Sequence, residues 1–167
     1  YIYYFHNNGL QNHAVLYRKP RNSDVDESEV FIDPNTFSKD GTTSLANVYF
    51  SLDGSLCTYL VSEGGADWCS AHTINTQNKQ LIEPPLKGLK FTRIAWRANK
   101  GFYYSCYDTP KGSELSAKTD HHKVYYHALG NNQEQDTLVY GRSNEEKARY
   151  CFGFTSDDAR FLIVTTA

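Results

Sequence analysis

The chain has 167 residues, of which 40% are hydrophobic and 22% charged, so it can bury one ordinary core and is unlike a disordered segment. Its formal net charge of -2 argues against a nucleic-acid or anionic-membrane surface, which would need clustered lysine and arginine. Since no apolar run approaches the roughly 20 residues of a membrane-spanning helix, we expect a globular domain with neither a nucleic-acid nor a membrane partner.

Short strand-like runs alternate with turn signals along the whole chain. Aromatic residues make up 14% of the sequence, as is typical of strands, and no stretch of ten or more residues has helical periodicity. Many short strands at near-even spacing predict a sandwich, a barrel or a propeller. In chain order, the predicted strands cover residues 1–5, 14–17, 30–32, 48–50, 57–61, 69–74, 94–96, 102–106, 124–128, 138–140 and 161–165.

An internal repeat favours the propeller. Residues 48–60, 94–104 and 152–163 each read as a short strand ending in an aromatic residue, a polar turn and a second apolar strand. The turn residues Asp53, Asn99 and Asp157 are 46 and then 58 residues apart, which is close to the length of a four-stranded blade. A polar insertion at 108–120 accounts for the longer second interval. An immunoglobulin-like sandwich, the rival architecture, would not repeat one motif three times at this period.

The sequence carries no recognisable catalytic machinery. It has no Gly-x-Ser-x-Gly nucleophile elbow, because the segment 141–145 lacks the final glycine, and it has no phosphate-binding glycine loop. His121 and His122 are adjacent, and neighbours on a strand point to opposite faces, so they make a poor metal pair. We therefore predict no catalytic residue, no metal and no cofactor within these residues.

The four cysteines predict a reducing compartment. They lack the Cys-x-x-Cys spacing, and the chain is not a short, cysteine-dense one, so reduced and mostly buried thiols in a cytoplasmic protein are expected. The chain also contains no methionine and both begins and ends in strand-like runs. These features favour a piece of a longer protein.

An ordered set of motifs carries a family resemblance. The segment 9–17, GLQNHAVLY, and the segment 31–35, FIDPN, resemble the first propeller blade of prolyl oligopeptidases. Motifs of the successive blades follow in register. They are Phe50-Ser51 with Asp53-Gly54, GADW at 65–68, Lys90-Phe91 with Ala95-Trp96, HKVYYHALG at 122–130 and SDD at 156–158.

The resemblance implies a two-domain serine peptidase, with a Ser-Asp-His triad on an α/β-hydrolase domain covered by a seven-bladed propeller. Residues 1–167 would be a single segment of that propeller, running from blade one into blade four, and thus an all-β partial β-propeller of about three to three and a half four-stranded blades. The catalytic domain would be absent from this chain. The parent would hydrolyse short peptides after proline, and the propeller would act as a size filter. The alternative is a non-catalytic propeller that presents a binding surface.

The resemblance also implies roles for three side chains. Phe91 matches an aromatic that lines the subsite for the residue two before the proline, and Tyr150 falls where the family commonly has an apolar contact in the same pocket. Asp67 matches a carboxylate at the seam with the missing α/β-hydrolase domain, where it would pair with a basic residue. The structural alternatives are a core aromatic for Phe91 and a turn or capping carboxylate for Asp67. We also expect the isolated segment to self-associate through exposed strand edges.

Overall fold

The computed structural model describes residues 1–22, 27–108 and 120–167. Within these ranges the chain forms thirteen strands and three short 3-10 turns (Pro34–Thr36, Gln133–Gln135 and Asn144–Glu146), with no α-helix. The strands are β1 Ile2–His6, β2 Val15–Lys19, β3 Glu29–Ile32, β4 Ser44–Phe50, β5 Leu56–Ser62, β6 Trp68–Asn75, β7 Leu86–Lys90, β8 Ala95–Trp96, β9 Gly101–Cys106, β10 Lys123–Ala128, β11 Thr137–Tyr140, β12 Cys151–Thr155 and β13 Leu162–Thr166.

The described strands make four antiparallel sheets in chain order. Sheet one contains β1 to β3, sheet two β4 to β7, sheet three β8 to β11 and sheet four β12 and β13, and each strand pairs with the next one along the chain. Two complete four-stranded meanders between two shorter ones are the blades of a partial propeller, so the predicted fold class is confirmed. The polar insertion predicted at 108–120 lies mostly outside the described residues.

Strand β7 is an element that the sequence analysis missed. It contains Gly88, which adopts a φ of 70°, and its pairing with β6 is shifted in register between Cys69 and Ala71. Lys87 and Gly88 are both exposed. Because a central glycine and an irregular register are typical of a bulged edge strand, the alternating apolar signal of a regular strand is absent.

Hydrophobic clusters lie between successive sheets rather than within a single one. Sheets one and two bury one cluster, formed by Leu16, Phe31, Ile32, Cys57 and Ile74. Sheets two and three and their connection bury a second, formed by Leu60, Ala71, Leu86, Leu89, Ile94, Trp96, Phe102 and Tyr104. Sheets one, two and three therefore bury their core residues against a neighbouring sheet, as in other repeat architectures.

Side chains of the predicted repeat link neighbouring sheets. The indole N–H of Trp96 donates to the carbonyl oxygen of Tyr49 across 3.2 Å, so the aromatic that ends β8 packs on β4. In the adjoining turns, the amide of Asn99 donates to the carboxylate of Asp53. Hydrogen bonds from the backbone and side chain of Ser55 lower the pKa of Asp53 from 3.8 to about 2, so this acceptor stays ionised in mildly acidic solution as well. Residues of the sequence repeat thus also form the contacts between neighbouring blades.

The third repeat has its turn one residue later than the sequence analysis placed it. In sheet two the hydroxyl of Ser51 donates to Asp53 over 3.0 Å, and in sheet four Ser156 donates to Asp158 over 2.6 Å. Asp158, rather than Asp157, is therefore the equivalent of Asp53. Two consecutive aspartates at this point make the two alignments equally plausible by sequence alone.

The two turns offer a matched pair of substitutions. Gly54 and Ala159 occupy the same turn position with φ values of 72° and 55°, in the left-handed region that L-residues other than glycine avoid. A Cβ added at Gly54 would meet no atom within 4 Å, so its cost is conformational only. We expect Gly54→Ala to lower the free energy of unfolding by about 1 kcal/mol.

The reciprocal change, Ala159→Gly, should leave the free energy of unfolding unchanged or raise it by about 0.5 kcal/mol, because the relieved strain exceeds the added freedom of the unfolded chain. Urea denaturation of both variants measures the two effects together. A Gly54→Ala protein as stable as the wild type would contradict the assignment of strain to this turn.

Candidate functional site

The three side chains that sequence analysis singled out lie at the same end of the sheets. Because the strands are antiparallel, the connections β5–β6, β7–β8, β9–β10 and β11–β12 all emerge at one end, which we call the crossover end. Asp67 lies in the first of these connections, Phe91 in the second and Tyr150 in the fourth. The residues come from three different sheets or their links, so only the folded chain assembles them.

Phe91 and Tyr150 are in direct contact. Their ring centroids are 5.5 Å apart at an interplanar angle of 75°, which is an edge-to-face pair. Phe91 also meets the ring of Tyr107 at 6.4 Å and 84°. Both Phe91 and Tyr150 are only partly buried. The two predicted substrate-facing residues therefore form one aromatic pair that is partly exposed.

The backbone at Phe91 is strained. Its φ of 49° lies in the left-handed region, which a bulky side chain seldom adopts. Such a conformation costs on the order of 1–3 kcal/mol and persists only where the surroundings fix it, most often at functional sites. The strained residue is thus also the one whose ring contacts Tyr150, at the point where the chain leaves sheet two.

A nearly buried lysine joins Phe91 to the Asp67 loop. The ammonium of Lys90 lies 5.1 Å from the ring centroid of Trp68 and 5.2 Å from that of Phe91. The same ammonium is 3.9 Å from a carboxylate oxygen of Asp67. Since the Asp67 side chain is 61% exposed, this long ion pair contributes less than about 1 kcal/mol and leaves the carboxylate open to other partners.

A surface cavity of about 300 Å³ connects two of the predicted residues. Asp67 and Phe91 both line it, and strand β4 contributes small side chains to its wall. The remaining lining residues are Ser44, Ala46, Leu60, Ser62, Gly65, Ala66, Cys69 and Thr92. The cavity is therefore shaped mainly by small and apolar groups, with the Asp67 carboxylate as its charged member.

His122 is a central residue of the site that sequence analysis did not identify. Its imidazole is completely buried and stacks on the ring of Tyr107 at 4.3 Å. Its Nε2 lies 3.0 Å from the carbonyl oxygen of Lys90, and its Nδ1 accepts the backbone N–H of Cys151 over 3.0 Å. Burial lowers the pKa of His122, so the ring is neutral at physiological pH. Its two nitrogens join sheets two, three and four.

The four cysteine thiols are in environments that make them unreactive. The four cysteines are free, with Cys57 and Cys151 buried and Cys69 and Cys106 partly buried. Burial raises the pKa of Cys57 and of Cys106 to about 12, so little thiolate forms at neutral pH.

Among the residues that the structure describes, no group of three or more His, Cys, Asp or Glu side chains could hold a metal ion. Within the same residues, no helix has the length and apolar character needed to cross a bilayer.

The sequence matches known proteins along its full length. The family model of the prolyl oligopeptidase N-terminal β-propeller domain matches residues 1–167. The prolyl endopeptidase of Elizabethkingia miricola is 46% identical over 168 residues, which cover 100% of this chain and 23% of that protein. The prolyl endopeptidase of Elizabethkingia meningoseptica is 45% identical over the same shares. The chain thus spans about a quarter of the length of these curated relatives.

Solved structures agree with the sequence matches. A prolyl endopeptidase, solved in work on inter-domain dynamics in catalysis and specificity, superposes with a TM-score of 0.85 at 29% identity, covering 99% of this chain and 23% of that one. Prolyl oligopeptidase B from Galerina marginata, bound to a 35-residue hydrolysis and macrocyclization substrate, gives a TM-score of 0.79 at 30% identity, covering 97% and 25%. The chain therefore belongs to the N-terminal β-propeller domain family of the prolyl oligopeptidases.

Proposed function

We propose that residues 1–167 are the propeller segment of a serine peptidase that hydrolyses short peptides on the carboxyl side of proline. The reaction would take place on an α/β-hydrolase domain encoded outside these residues, where a serine attacks, a histidine transfers the proton and an aspartate orients the histidine. The propeller would cover that site and admit only short peptides. The prolyl endopeptidase relatives support the proposal, and the superposition on a solved prolyl endopeptidase, with a TM-score of 0.85, is the structural observation that carries it.

The aromatic pair would recognise the substrate residue two before the proline. Phe91 and Tyr150 are both partly exposed and meet edge to face, so they leave some apolar ring surface open at the crossover end. A side chain packed against such a surface gains burial together with about 0.5–1.5 kcal/mol from ring geometry. The backbone strain at Phe91 supports a role in binding, because a core aromatic could adopt a relaxed conformation.

Asp67 would face the catalytic domain and pair there with a basic residue. Its carboxylate is mostly exposed and only loosely paired with Lys90, which supports a second partner. We further place the protein in the cytoplasm, supported by the four free cysteines.

The isolated 167-residue chain is proposed to self-associate. Among the described strands, β13 pairs with β12 alone, and Phe161 and Ile163 beside its other edge are 61% and 55% exposed. An open, apolar strand edge is a template for pairing with another chain. Analytical ultracentrifugation at tens of micromolar would reveal dimers or larger species, whereas a sharp monomer would contradict the proposal.

Kinetics of the full-length gene product test the proposed role of the pair. The substrates are chromogenic X-Gly-Pro peptides in which X, two residues before the proline, is glycine or leucine. Phe91→Ala is expected to raise the KM of the leucine peptide by about threefold to tenfold and to leave the glycine peptide nearly unchanged. The reason is that the lost ring surface contacts only a substrate with a side chain at X.

Phe37→Ala is the matched control. Phe37 is also half-buried, and its ring stacks on Tyr59 at 6.0 Å rather than on any residue of the aromatic pair. We expect it to change neither KM. Equal losses for both peptides in Phe91→Ala, or unfolding without a change in selectivity, would favour a core aromatic and overturn the proposed role.

A further inference from the structure

His122 contacts the backbone of the two segments that carry the aromatic pair. Its Nε2 meets the carbonyl oxygen of Lys90, the residue directly before Phe91. Its Nδ1 meets the N–H of Cys151, the residue directly after Tyr150. One imidazole ring therefore spans the main chains of Phe91 and Tyr150, which are 59 positions apart in the sequence.

These two partners fix the tautomer of His122. Since the N–H of Cys151 donates to Nδ1, that nitrogen carries no proton, and the proton lies on Nε2 and is donated to Lys90. Both ring nitrogens are used, and the ring is fully buried beneath Tyr107. The imidazole has no remaining polar capacity for a ligand, so its role is toward the two peptide groups.

Each hydrogen bond controls a backbone torsion of the aromatic pair. The carbonyl of Lys90 lies in the Lys90–Phe91 peptide plane. The rotation of this plane about the N–Cα bond of Phe91 is the φ of Phe91. The N–H of Cys151 belongs to the plane that sets the ψ of Tyr150. A third bond acts in the same way, because the hydroxyl of Tyr107 donates to the carbonyl of Arg149 over 2.6 Å and so bears on the φ of Tyr150.

We propose that His122 is a positioning residue that holds the rings of Phe91 and Tyr150 in their edge-to-face arrangement and thereby sets substrate selectivity two residues before the proline. The inference rests on the proposed function for its substrate and on the hydrogen bonds for its mechanism. The left-handed φ of 49° at Phe91 requires an external restraint, and the bond to Lys90 supplies one at the adjoining peptide plane. Without that restraint, the Phe91 backbone should relax and turn its ring away from Tyr150.

Three substitutions at position 122 separate the two bonds. Glutamine places an amide N–H near the position of Nε2 and can keep the bond to Lys90, whereas asparagine places an amide oxygen near Nδ1 and can keep the bond to Cys151. Alanine keeps neither. In the full-length gene product we expect KM for the Leu-Gly-Pro peptide to rise in the order Gln and Asn, then Ala, reaching about tenfold. The KM of the Gly-Gly-Pro peptide and both kcat values should change less than about twofold.

His121→Gln is the matched control. His121 lies next to His122, but its Nε2 contacts the carbonyl oxygen of Gly141 over 2.9 Å and neither segment of the pair. Its substitution should leave both KM values unchanged. Losses in kcat that are equal for the two peptides, or Gln and Asn variants that fold and keep wild-type selectivity, would overturn the proposal. If His122→Ala does not fold, the Gln and Asn variants decide the question alone.

A readout without catalysis separates this inference from the proposed function. A fluorinated tyrosine placed at position 150 reports its packing on Phe91 through its ¹⁹F shift, and Phe91→Ala calibrates the signal of a lost contact. We expect His122→Ala and His122→Asn to move the shift toward the calibrated value and His121→Gln to leave it unchanged. A signal that stays at the wild-type position in both His122→Ala and His122→Asn overturns the positioning role even if the enzyme cleaves prolyl peptides. A moved signal in a protein without prolyl peptidase activity supports the positioning role and rejects only the substrate assignment.

Discussion

Replacing His127 by leucine is expected to lower the free energy of unfolding by about 3–5 kcal/mol, because it leaves two buried carboxylates without their cation. The imidazole is 1% exposed, and the side chains of Glu83 and Asp136 are 5% and 2% exposed. Nδ1 of His127 lies 2.7 Å from Asp136 with hydrogen-bond geometry. Nε2 lies 3.2 Å from Glu83 without that geometry, so this second contact is electrostatic.

Further bonds build the carboxylates into the fold. The hydroxyl of Tyr104 donates to Asp136 over 2.8 Å, and the N–H of Gly130 donates to Glu83 over 2.9 Å. The network therefore connects the β6–β7 connection of sheet two with three parts of sheet three. Removal of the imidazole would leave both carboxylates without a cation in a site that water does not reach, which explains the size of the expected loss in the free energy of unfolding.

The same network predicts a loss of stability in alkaline solution. Burial opposes the charged imidazole, but the hydrogen bond to Asp136 and the contact with Glu83 outweigh it and raise the pKa of His127 from 6.5 to about 9. The native state therefore binds this proton more tightly than the unfolded state. The resulting stabilisation, on the order of 3 kcal/mol, is fully present below pH 6.5 and disappears as the pH rises through 9.

Urea denaturation at pH 6, 7.5 and 9.5 measures both effects. The wild type should lose stability across this range, and His127→Leu should start lower and lose much less. His72→Leu is the control, because His72 is half-buried and its Nε2 pairs with Ser70 on the same strand over 2.9 Å. A flat pH profile in the wild type would show that His127 is neutral in the folded protein.

Phe102→Ala is expected to lower the free energy of unfolding by about 3–5 kcal/mol, since it removes a large side chain from the cluster between sheets two and three. Phe102 is 0% exposed and meets the ring of Trp96 edge to face at 5.2 Å and that of His127 at 5.3 Å. The cavity left behind would touch both the repeat aromatic of β8 and the buried ion network.

Phe161→Ala is the natural comparison for this core substitution. Phe161 has the same side chain but is 61% exposed, so its removal should change stability by less than about 0.5 kcal/mol. Chemical denaturation of the two variants measures the contrast. Similar losses in both would mean that the contact between sheets two and three does not bury the main core.

Local sequence pattern predicted most of the fold because each hairpin has its strand and turn signals within a short segment. The three repeat units correspond to β4–β5, β8–β9 and β12–β13, each with its turn chemistry at the expected place or one residue away. Strand β7 was not predicted, because Gly88 and a register shift remove the alternation on which strand prediction depends. An edge strand held in place by its neighbour has little signal of its own.

The candidate site was only partly predictable. Phe91 and Tyr150 came from the family resemblance, and the structure brings their rings together. The sequence analysis placed His121 and His122 on opposite faces of a strand, but both precede β10, and His121 has a φ of 63°. Strand alternation therefore does not apply to them and could not show that His122 would be the buried one. No local pattern marks an ion network such as that of His127, because Glu83 is contributed by a different sheet. Partners of this kind depend on tertiary packing, which single-sequence reasoning does not reach.

The central claim is that this propeller segment contributes a substrate-facing aromatic pair to a prolyl peptidase. A double-mutant cycle on Phe91 and Tyr150 in the full-length gene product tests it most directly, with kcat/KM measured for Leu-Gly-Pro and Gly-Gly-Pro chromogenic peptides. We expect cleavage after proline, and non-additive losses in Phe91→Ala, Tyr150→Ala and the double variant, with a coupling of about 0.5–1.5 kcal/mol for the leucine peptide and none for the glycine peptide. Absence of cleavage after proline, or the same coupling for both peptides, would contradict the account.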